Sequence, residues 1–311
     1  MKKTLTVLLA VFGLMSVSVP AKADYPNGPV QFIVPWPPGD FEDILTRWIA
    51  EDMEKATGMA ASVVNRPGGG DGPFPGALEV LAAPADGSVI GSFVIGVPIV
   101  GPRIDIGIEA DSFEPIGIFL TFPFVLAAGE NAPYSNMAEL AAHAKNNDVV
   151  LGHFGAGIVP TKASFAAAKN MGFEWADDSA FDMLDCNSLS AGDADVINTT
   201  LALIEPCLGK IKVLANIGEE PIAKLSGVKT LADQAGINNV ELWNGLFVKK
   251  GTPQATKDKI AEIAKASMTS DRAKELMAES GARIYWQDAD ASAARIAADN
   301  AKFDELNAML D

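Results

Sequence analysis

Short apolar runs and amphipathic stretches alternate along most of this chain, which is the pattern of an α/β protein. Val30–Val34 is a β-branched strand, and apolar residues then recur at helical spacing from Ile44 to Ala56. Gly58 ends that helix, because glycine accepts the left-handed conformation found at helix ends. The alternation predicts mainly parallel sheets with helices on both faces. Further strands are predicted at 61–64, 89–93, 149–154, 194–199, 212–216 and 282–286, and helices at 74–83, 137–146, 161–171 and 181–191.

Two long apolar runs, at 114–128 and 240–248, interrupt this alternation. Pro115 and Pro123 lie inside the first run, which is therefore predicted to be extended rather than helical. Two extended runs of this kind suit crossings between two lobes. They predict a discontinuous first lobe of residues 24–122 and 243–311, and a second lobe of residues 123–242. Two lobes joined by two strands can close on a ligand about a hinge.

The N-terminus has the three parts of a secretory signal peptide, predicted to span residues 1–23. Lys2 and Lys3 form the basic region. Residues 5–19 form the hydrophobic core, which also contains Gly and Ser, and Ala21-Lys22-Ala23 is the cleavage site. A retained membrane anchor is the alternative, but no longer apolar segment and no lipidation cysteine follow. The pattern predicts a periplasmic protein whose mature chain begins at Asp24.

The charge of the chain excludes one broad class of partner. The formal net charge is −16, and removal of three signal-peptide lysines would make it −19. General nucleic-acid binding depends on basic residues that meet phosphates, so a nucleic-acid partner is not expected.

The chain lacks the common signatures of catalysis and of metal binding. It has two histidines, His143 and His153, and no G-x-S-x-G, H-E-x-x-H, P-loop or EF-hand spacing. We therefore expect neither an enzyme nor a bound cofactor or metal. Cys186 and Cys207 are the only cysteines, and an even pair in an oxidising compartment favours a disulfide. Two buried, unpaired thiols are the alternative.

The junction between the first strand and the first helix is the leading candidate for a binding site. Residues 35–43 read Pro-Trp-Pro-Pro-Gly-Asp-Phe-Glu-Asp. In open α/β sheets, ligands bind at the carboxyl ends of strands, and the helix that follows offers free N–H groups to an anion. This loop nevertheless carries three carboxylates, Asp40, Glu42 and Asp43. It indicates where to look for a ligand, but it does not suit an ordinary anion.

Several motifs, in this order and spacing, resemble those of the periplasmic solute-binding proteins of tripartite tricarboxylate transporters, the Bug family. They are Tyr25-Pro26, the strand Val30–Val34, Pro35–Gly39 with Asp43, Asn65–Gly70, Ala83–Gly87, Gly152–Gly157, Trp243–Phe247 and Gly251–Pro253. The resemblance covers essentially the whole predicted mature chain. It implies a two-lobed Venus-flytrap fold of type II, in which each lobe is a mainly parallel sheet flanked by helices and two strands cross between the lobes.

The resemblance also implies a function and a set of ligand-binding residues. A monomeric protein of this family would capture a small organic acid between its lobes and deliver it to membrane permease subunits. The loops after Val34 and after Phe154 would hold the ligand's carboxylate through backbone amides and ordered waters. The residues so implied are Trp36, Pro38, Gly39, Asp40, Phe41, Asp43, Ser92, His153, Phe154, Gly155, Ala156, Gly157, Ile158, Thr161, Lys162 and Thr199.

The chain departs from the family pattern at both loops. Asp40 and Phe41 stand where the family has glycine, and Glu42 replaces a small hydroxyl residue. Ile158 and Thr161 occupy positions where the family has a serine and a histidine. Thr199 occupies a position where the family has an acidic pocket residue. Compared with the family pattern, the second lobe therefore lacks an acidic residue and the first lobe has additional ones. A zwitterionic, hydroxylated or aromatic acid is therefore at least as good a candidate ligand as a tricarboxylate.

Two interpretations remain open for several of these residues. Asp40 and Asp43 either cap the helix or face the cleft, and Phe41 either covers the pocket or anchors the core. Lys162 either meets an anion or an acid across the cleft, or is solvated, and His153 is a ligand contact or a structural residue. Trp36 and Trp243 are aromatic candidates for the cleft, although Trp243 also fits core packing.

Two alternative functions are compatible with the same fold. A periplasmic sensor would present its ligand-bound state to a receptor kinase, and a degenerate family member would bind no ligand. Genes for permease subunits beside this one would favour transport.

Overall fold

The computed structural model describes residues 25–68, 72–222, 224–238 and 240–311. The predicted signal peptide, residues 1–23, lies outside them. Within the described ranges, no helix is both long enough and apolar enough to cross a membrane.

Two β-sheets form the centres of the two lobes. The first sheet contains six strands: β1 Val30–Val34, β2 Ala61–Asn65, β3 Val89–Val94, β4 Phe113–Thr121, β10 Trp243–Lys249 and β11 Arg283–Asp288. The second contains five: β5 Phe124–Gly129, β6 Val150–His153, β7 Asp177–Ala180, β8 Val196–Thr200 and β9 Ile211–Ile217. The strand orders are β11-β4-β10-β3-β1-β2 and β7-β6-β8-β5-β9.

Helices cover these sheets. Their bounds are α1 Phe41–Thr57, α2 Phe74–Ala82, α3 Gly96–Val100, α4 Met137–Ala144, α5 Val159–Met171, α6 Cys186–Ala191, α7 Leu201–Ile204, α8 Leu231–Ala235, α9 Gln254–Met268, α10 Asp271–Ser280 and α11 Ala289–Leu310. Gly58 ends α1 in the left-handed conformation, at φ 71°, as predicted. The two-lobed α/β architecture is thus the one expected from the alternating pattern.

Both sheets are mixed rather than mainly parallel. β1 runs parallel to β2 and β3, and β6 runs parallel to β7 and β8. The strands connected to the crossings, β4, β5 and β10, make antiparallel pairs instead. The reason is geometric: β10 enters the first sheet from the other lobe, at the edge where β3 ends. It must therefore run against β3.

The crossings lie where the apolar runs predicted them. The run at 114–128 divides into β4 and β5, one in each sheet, with Phe122 and Pro123 between them. The return crossing leads into β10, and the backbone N–H of Phe122 donates to the carbonyl of Leu242 at 2.8 Å. The two crossings therefore lie side by side and form the hinge. The exact lobe boundaries stay a prediction.

Two parts of the second lobe differ from the predicted elements. The predicted helix 181–191 is shorter, Cys186–Ala191, because Asp185 and Ser188 form a capping box that starts it there. The strand β7 before it was not predicted, because its sequence Asp-Asp-Ser-Ala has no apolar run. Helix α5 starts two residues earlier than predicted, at Val159, with Pro160 in its first turn, where proline costs no hydrogen bond.

The C-terminal helix connects the two lobes. α11 packs against β4 of the first sheet and against α5 of the second lobe. Phe303 and Leu306 are its buried apolar anchors. Closure about the hinge must therefore keep α11 in place or repack it.

The structure pairs Cys186 with Cys207 in a disulfide, with Cα atoms 5.9 Å apart and a sequence separation of 21. It joins the start of α6 to the 3₁₀ turn after α7. Closing a loop of this length removes about 3 kcal/mol of unfolded-state entropy.

We expect the double variant Cys186→Ser, Cys207→Ser to lose about 3 kcal/mol of unfolding free energy. Urea unfolding followed by circular dichroism measures the loss, and wild type in reductant is the matched comparison because it keeps the same sequence. An unchanged urea midpoint in both samples would mean that the bridge contributes nothing to stability.

Candidate functional site

A cavity lies between the two lobes, at the carboxyl ends of β1, β3, β6 and β8. Its volume is about 60 Å³, room for roughly two water molecules at the density of the liquid. From the first lobe it is lined by Trp36, Pro37, Pro38, Asp40, Glu42, Val94 and Gly96. From the second it is lined by Phe154, Ile158, Val159, Pro160, Asp182, Met183, Thr200 and Leu203. Phe122, Phe124, Leu242 and Trp243 of the crossings form its floor.

The lobes touch across this cavity. The rings of Trp36 and Phe154 meet edge to face, with centroids 5.7 Å apart. The hydroxyl of Thr200, at the end of β8, donates to Oδ2 of Asp40 at 3.0 Å. These contacts join the loop after β1 to the second lobe. The two lobes are therefore closed around the cavity.

Asp40 fulfils both of the roles left open by its sequence. It is the N-cap of α1, with extended backbone angles, and its Oδ1 accepts from the N–H of Phe41 at 2.7 Å. Its Oδ2 faces the second lobe and the cavity through Thr200. One carboxyl group therefore both starts the helix and forms part of the cavity wall.

The two acids of the first-lobe wall, Asp40 and Glu42, are poorly solvated. Burial raises the pKa of Asp40 to about 6, although the N–H of Phe41 and the hydroxyl of Thr200 act to lower it. Burial also raises the pKa of Glu42 well above its usual range, and the negative charge of Asp40 raises it further. Glu42 is 2 % exposed, and its Oε2 has no hydrogen-bond partner among the described residues.

Asp43 is buried next to these acids but has a different role. Its carboxylate accepts from the N–H of Gly39, from the guanidinium of Arg47 at 2.9 and 3.0 Å, and from Nδ2 of Asn65 at 2.9 Å. Asn65 also donates to the carbonyl of Trp36. Asp43 therefore fixes the shape of the loop after β1 and does not line the cavity.

Three other predicted residues are buried and hydrogen-bonded within the protein. The Ser92 hydroxyl pairs with Thr46 and Asn244, each at 2.8 Å. Nδ1 of His153 accepts from the N–H of Gly155 at 2.9 Å, and its Nε2 lies 2.7 Å from Oδ1 of Asp178. The Thr199 hydroxyl donates to the carbonyl of Leu184 at 2.6 Å. Each shapes an element beside the cavity without lining it.

Taken together, some of the predicted ligand-binding residues line the cavity and the others lie around it. Those that line it are Trp36, Pro38, Asp40, Phe154 and Ile158, whereas Gly39, Phe41, Asp43, Ser92, His153, Gly155, Ala156, Gly157, Thr161, Lys162 and Thr199 do not. Phe41 is part of the hydrophobic core instead. Lys162 lies along a separate surface groove of the second lobe that also contains Lys145 and Phe165.

The sequence did not assign several of the lining residues to the site. Phe122, Phe124 and Leu242 belong to the apolar crossings, whose role as a cavity floor follows from the position of the hinge. Asp182, Met183 and Leu203 come from segments next to the disulfide. Glu42 departs from the family pattern in the sequence, and its side chain lines the cavity.

The cavity is apolar apart from its acids and Thr200. None of its described lining residues is Lys, Arg or His. In the described part of the chain, no group of three or more His, Cys, Asp or Glu could hold a metal ion. The cavity can therefore offer apolar surface, aromatic faces, backbone groups and two buried carboxyl groups.

Two α/β lobes joined by crossing strands, with a cavity between them, define the class of two-lobed periplasmic binding proteins. The model of one family, described as tripartite tricarboxylate transporter family receptor, matches residues 45–308. The protein belongs to this family, as its motifs indicated. The family and its structural neighbours are solute-binding proteins rather than enzymes.

Individual relatives agree with this assignment. The UPF0065 protein in the tcbD-tcbE intergenic region of Pseudomonas sp. (strain P51) is 27% identical over 264 residues, 79% of this chain and 76% of its own. A solved structure of the periplasmic binding protein BugD is 25% identical, with TM-score 0.79, covering 91% of this chain and 97% of its own. R. palustris Rpa4515 with adipate is 21% identical, with TM-score 0.81, covering 92% and 98%, and shares the fold.

Proposed function

We propose that this protein is an exported, monomeric periplasmic solute-binding protein that captures a small carboxylate-bearing organic solute between its lobes. It then delivers the solute to the membrane subunits of a tripartite tricarboxylate-type transporter. The observation that carries the proposal is the cavity between the lobes, at the crossings, in a member of a solute-receptor family. R. palustris Rpa4515, a structural neighbour with adipate, supports a carboxylate ligand.

The N-terminus of α5 is the best place for the ligand's carboxylate. Its N-cap residue, Ile158, has no side chain that can cap the helix, and Ile158, Val159 and Pro160 line the cavity. The first-turn N–H groups and the helix dipole there favour a negative charge. His153 supports this end of the site, because its bond to the N–H of Gly155 fixes the turn before α5.

The apolar floor would receive the body of the ligand. Phe122, Phe124 and Trp243 come from both crossings, so a ligand that touches them touches the hinge. Contacts to both lobes exist only in the closed arrangement, and a ligand that makes them stabilises closure by its differential affinity. Capture would therefore need no covalent chemistry.

A thermal-shift screen of mature protein against organic acids tests this proposal. The panel contains mono-, di- and tricarboxylates, hydroxy acids, aromatic acids and amino acids, and hits are confirmed by calorimetric titration. We expect a carboxylate-bearing compound to raise the melting temperature and to bind with one-to-one stoichiometry. A panel without any stabilising acid, amino acids included, would overturn the proposal.

A further inference from the structure

We propose that the ligand also carries a protonated amino group, which pairs with Glu42 and Asp40, so that this receptor takes an amino acid with an apolar body rather than a plain polycarboxylate. The inference rests on the proposed function for the carboxylate end of the ligand. It adds a second, cation-binding position on the opposite wall of the cavity.

Glu42 carries the argument. It is 2 % exposed, it lines the cavity, and its Oε2 has no hydrogen-bond partner among the described residues. Buried carboxyl oxygens nearly always have a partner, so an exception of this kind requires an explanation. A ligand with several N–H donors, such as an ammonium group, would supply the missing partners from within the cavity.

A purely structural role does not account for Glu42. Acidic residues in the first turn of a helix do favour the dipole, but an exposed side chain serves that purpose. Asp43, the next residue, is also buried and has a complete set of partners in Gly39, Arg47 and Asn65. The contrast between these two neighbouring acids separates the structural carboxylate from the one left for a ligand.

The surroundings of Glu42 favour a cation. Asp40 lies on the same wall of the cavity, and no described lining residue is basic. Trp36, Phe124 and Phe154 add aromatic rings, whose faces attract ammonium groups. A second carboxylate of a dicarboxylic ligand would meet two acids and no basic side chain on this wall.

Binding of an ammonium group should release protons from the protein. Burial holds the carboxyl groups of Asp40 and Glu42 partly protonated, with the pKa of both raised, and a ligand cation favours their ionised forms. The other charged groups nearby are Asp43, paired with Arg47, and Asp182 at the exposed rim. With one proton released, affinity should rise by up to about 10-fold per pH unit.

Four ligands with the same five-carbon chain test the inference. They are 5-aminopentanoate, pentylamine, pentanoate and glutarate, titrated calorimetrically into mature wild-type protein in buffers of different ionisation enthalpy. We expect 5-aminopentanoate to bind at least about 30-fold more tightly than pentanoate or glutarate, because a buried charge pair contributes this much. We also expect proton release on binding and affinity that rises between about pH 5.5 and 8.

Glu42→Gln removes the charge but keeps the shape of the side chain. In this variant the preference for 5-aminopentanoate over pentanoate should fall to within about 3-fold. Glu54→Gln makes the same chemical change at an exposed position of the same helix, away from the cavity, and should leave the preference as it is in wild type. Circular dichroism of both variants checks the fold, and proton release in wild type gives a result that does not depend on any variant.

The outcomes separate the two proposals. Equal or tighter binding of pentanoate or glutarate, or affinity that falls as pH rises, would overturn the ammonium site while the carboxylate receptor stands. Binding of pentylamine as tight as that of 5-aminopentanoate would support the ammonium site and overturn the carboxylate end. No binding by any of the four, together with no hit in the acid screen, would overturn both.

Discussion

Replacing Asp299 with alanine should lower the free energy of unfolding by about 3–5 kcal/mol, the usual cost of breaking a buried ion pair. Asp299 lies on α11 and is 0 % exposed. Its Oδ2 accepts from Nε1 of Trp243 and from Nε of Arg295, each at 2.7 Å. Without this carboxylate, a buried indole N–H loses its partner, and the Arg295 guanidinium loses one of its two carboxylate partners.

The network around Asp299 explains why the effect should be large. Arg295 also donates to Glu241 at 2.9 Å, and Glu241 accepts from Arg283 at 2.5 Å. Burial works against the charge of Arg295, but its bonds to Glu241 and Asp299 prevail and raise its pKa. The network fixes α11 to the residues just before β10, which belong to the hinge and to the cavity floor.

Asp304→Ala is the matched control, because it removes the same side chain from the same helix. Asp304 is 64% exposed and pairs with Arg103 at the surface. We expect its loss to cost less than about 1 kcal/mol. Urea unfolding of both variants makes the comparison, and equal losses would show that the network does not stabilise the hinge.

The position of the cavity between the lobes could be predicted from the sequence, because loops after strands of an α/β sheet collect at one edge. Trp36, Pro38 and Asp40 after β1, and Phe154 and Ile158 after β6, line the cavity as this reasoning requires. The apolar runs also placed the crossings correctly. These features depend on chain order and on local pattern, which a single sequence contains.

The orientation of individual side chains could not be predicted in the same way. Thr199 was expected at the site, but its hydroxyl bonds to Leu184, and the next residue, Thr200, faces the cavity. Successive residues of a strand point to opposite faces, so an error of one position reverses the assignment. The side-chain directions of Lys162 and Glu42, each in the first turn of a helix, could not be predicted either. Only tertiary packing decides which side of a first turn is buried.

Raising the pH from about 4 to 8 should destabilise the ligand-free protein through Asp40 and Glu42. Both carboxyl groups have a pKa that burial raises in the folded state; the charge of Asp43 raises that of Asp40 further, and the charge of Asp40 raises that of Glu42. In this range the unfolded chain has already lost protons that the folded protein retains. The free energy of unfolding therefore falls as pH rises.

The size of the effect follows from the pKa of Asp40. A shift from the usual 3.8 to about 6 corresponds to about 3 kcal/mol, or roughly 5 °C in melting temperature for a chain of this length. The stabilisation from protonated Asp40 is complete below about pH 4 and lost above about pH 6. Deprotonation of Glu42 extends the loss of stability to higher pH. The surface acids Glu51 and Asp111 have lowered pKa values and act in the opposite direction at lower pH.

The double variant Asp40→Asn, Glu42→Gln isolates this contribution, because asparagine also caps helices well. We expect it to match wild type near pH 4 and to be more stable by at least about 3 kcal/mol at pH 8. Asp182→Asn, an exposed acid at the rim, should follow the wild-type curve to within about 0.5 kcal/mol. Parallel wild-type and double-variant curves would show that neither carboxyl group is protonated in the folded protein, and the cavity wall would then be anionic even without a ligand.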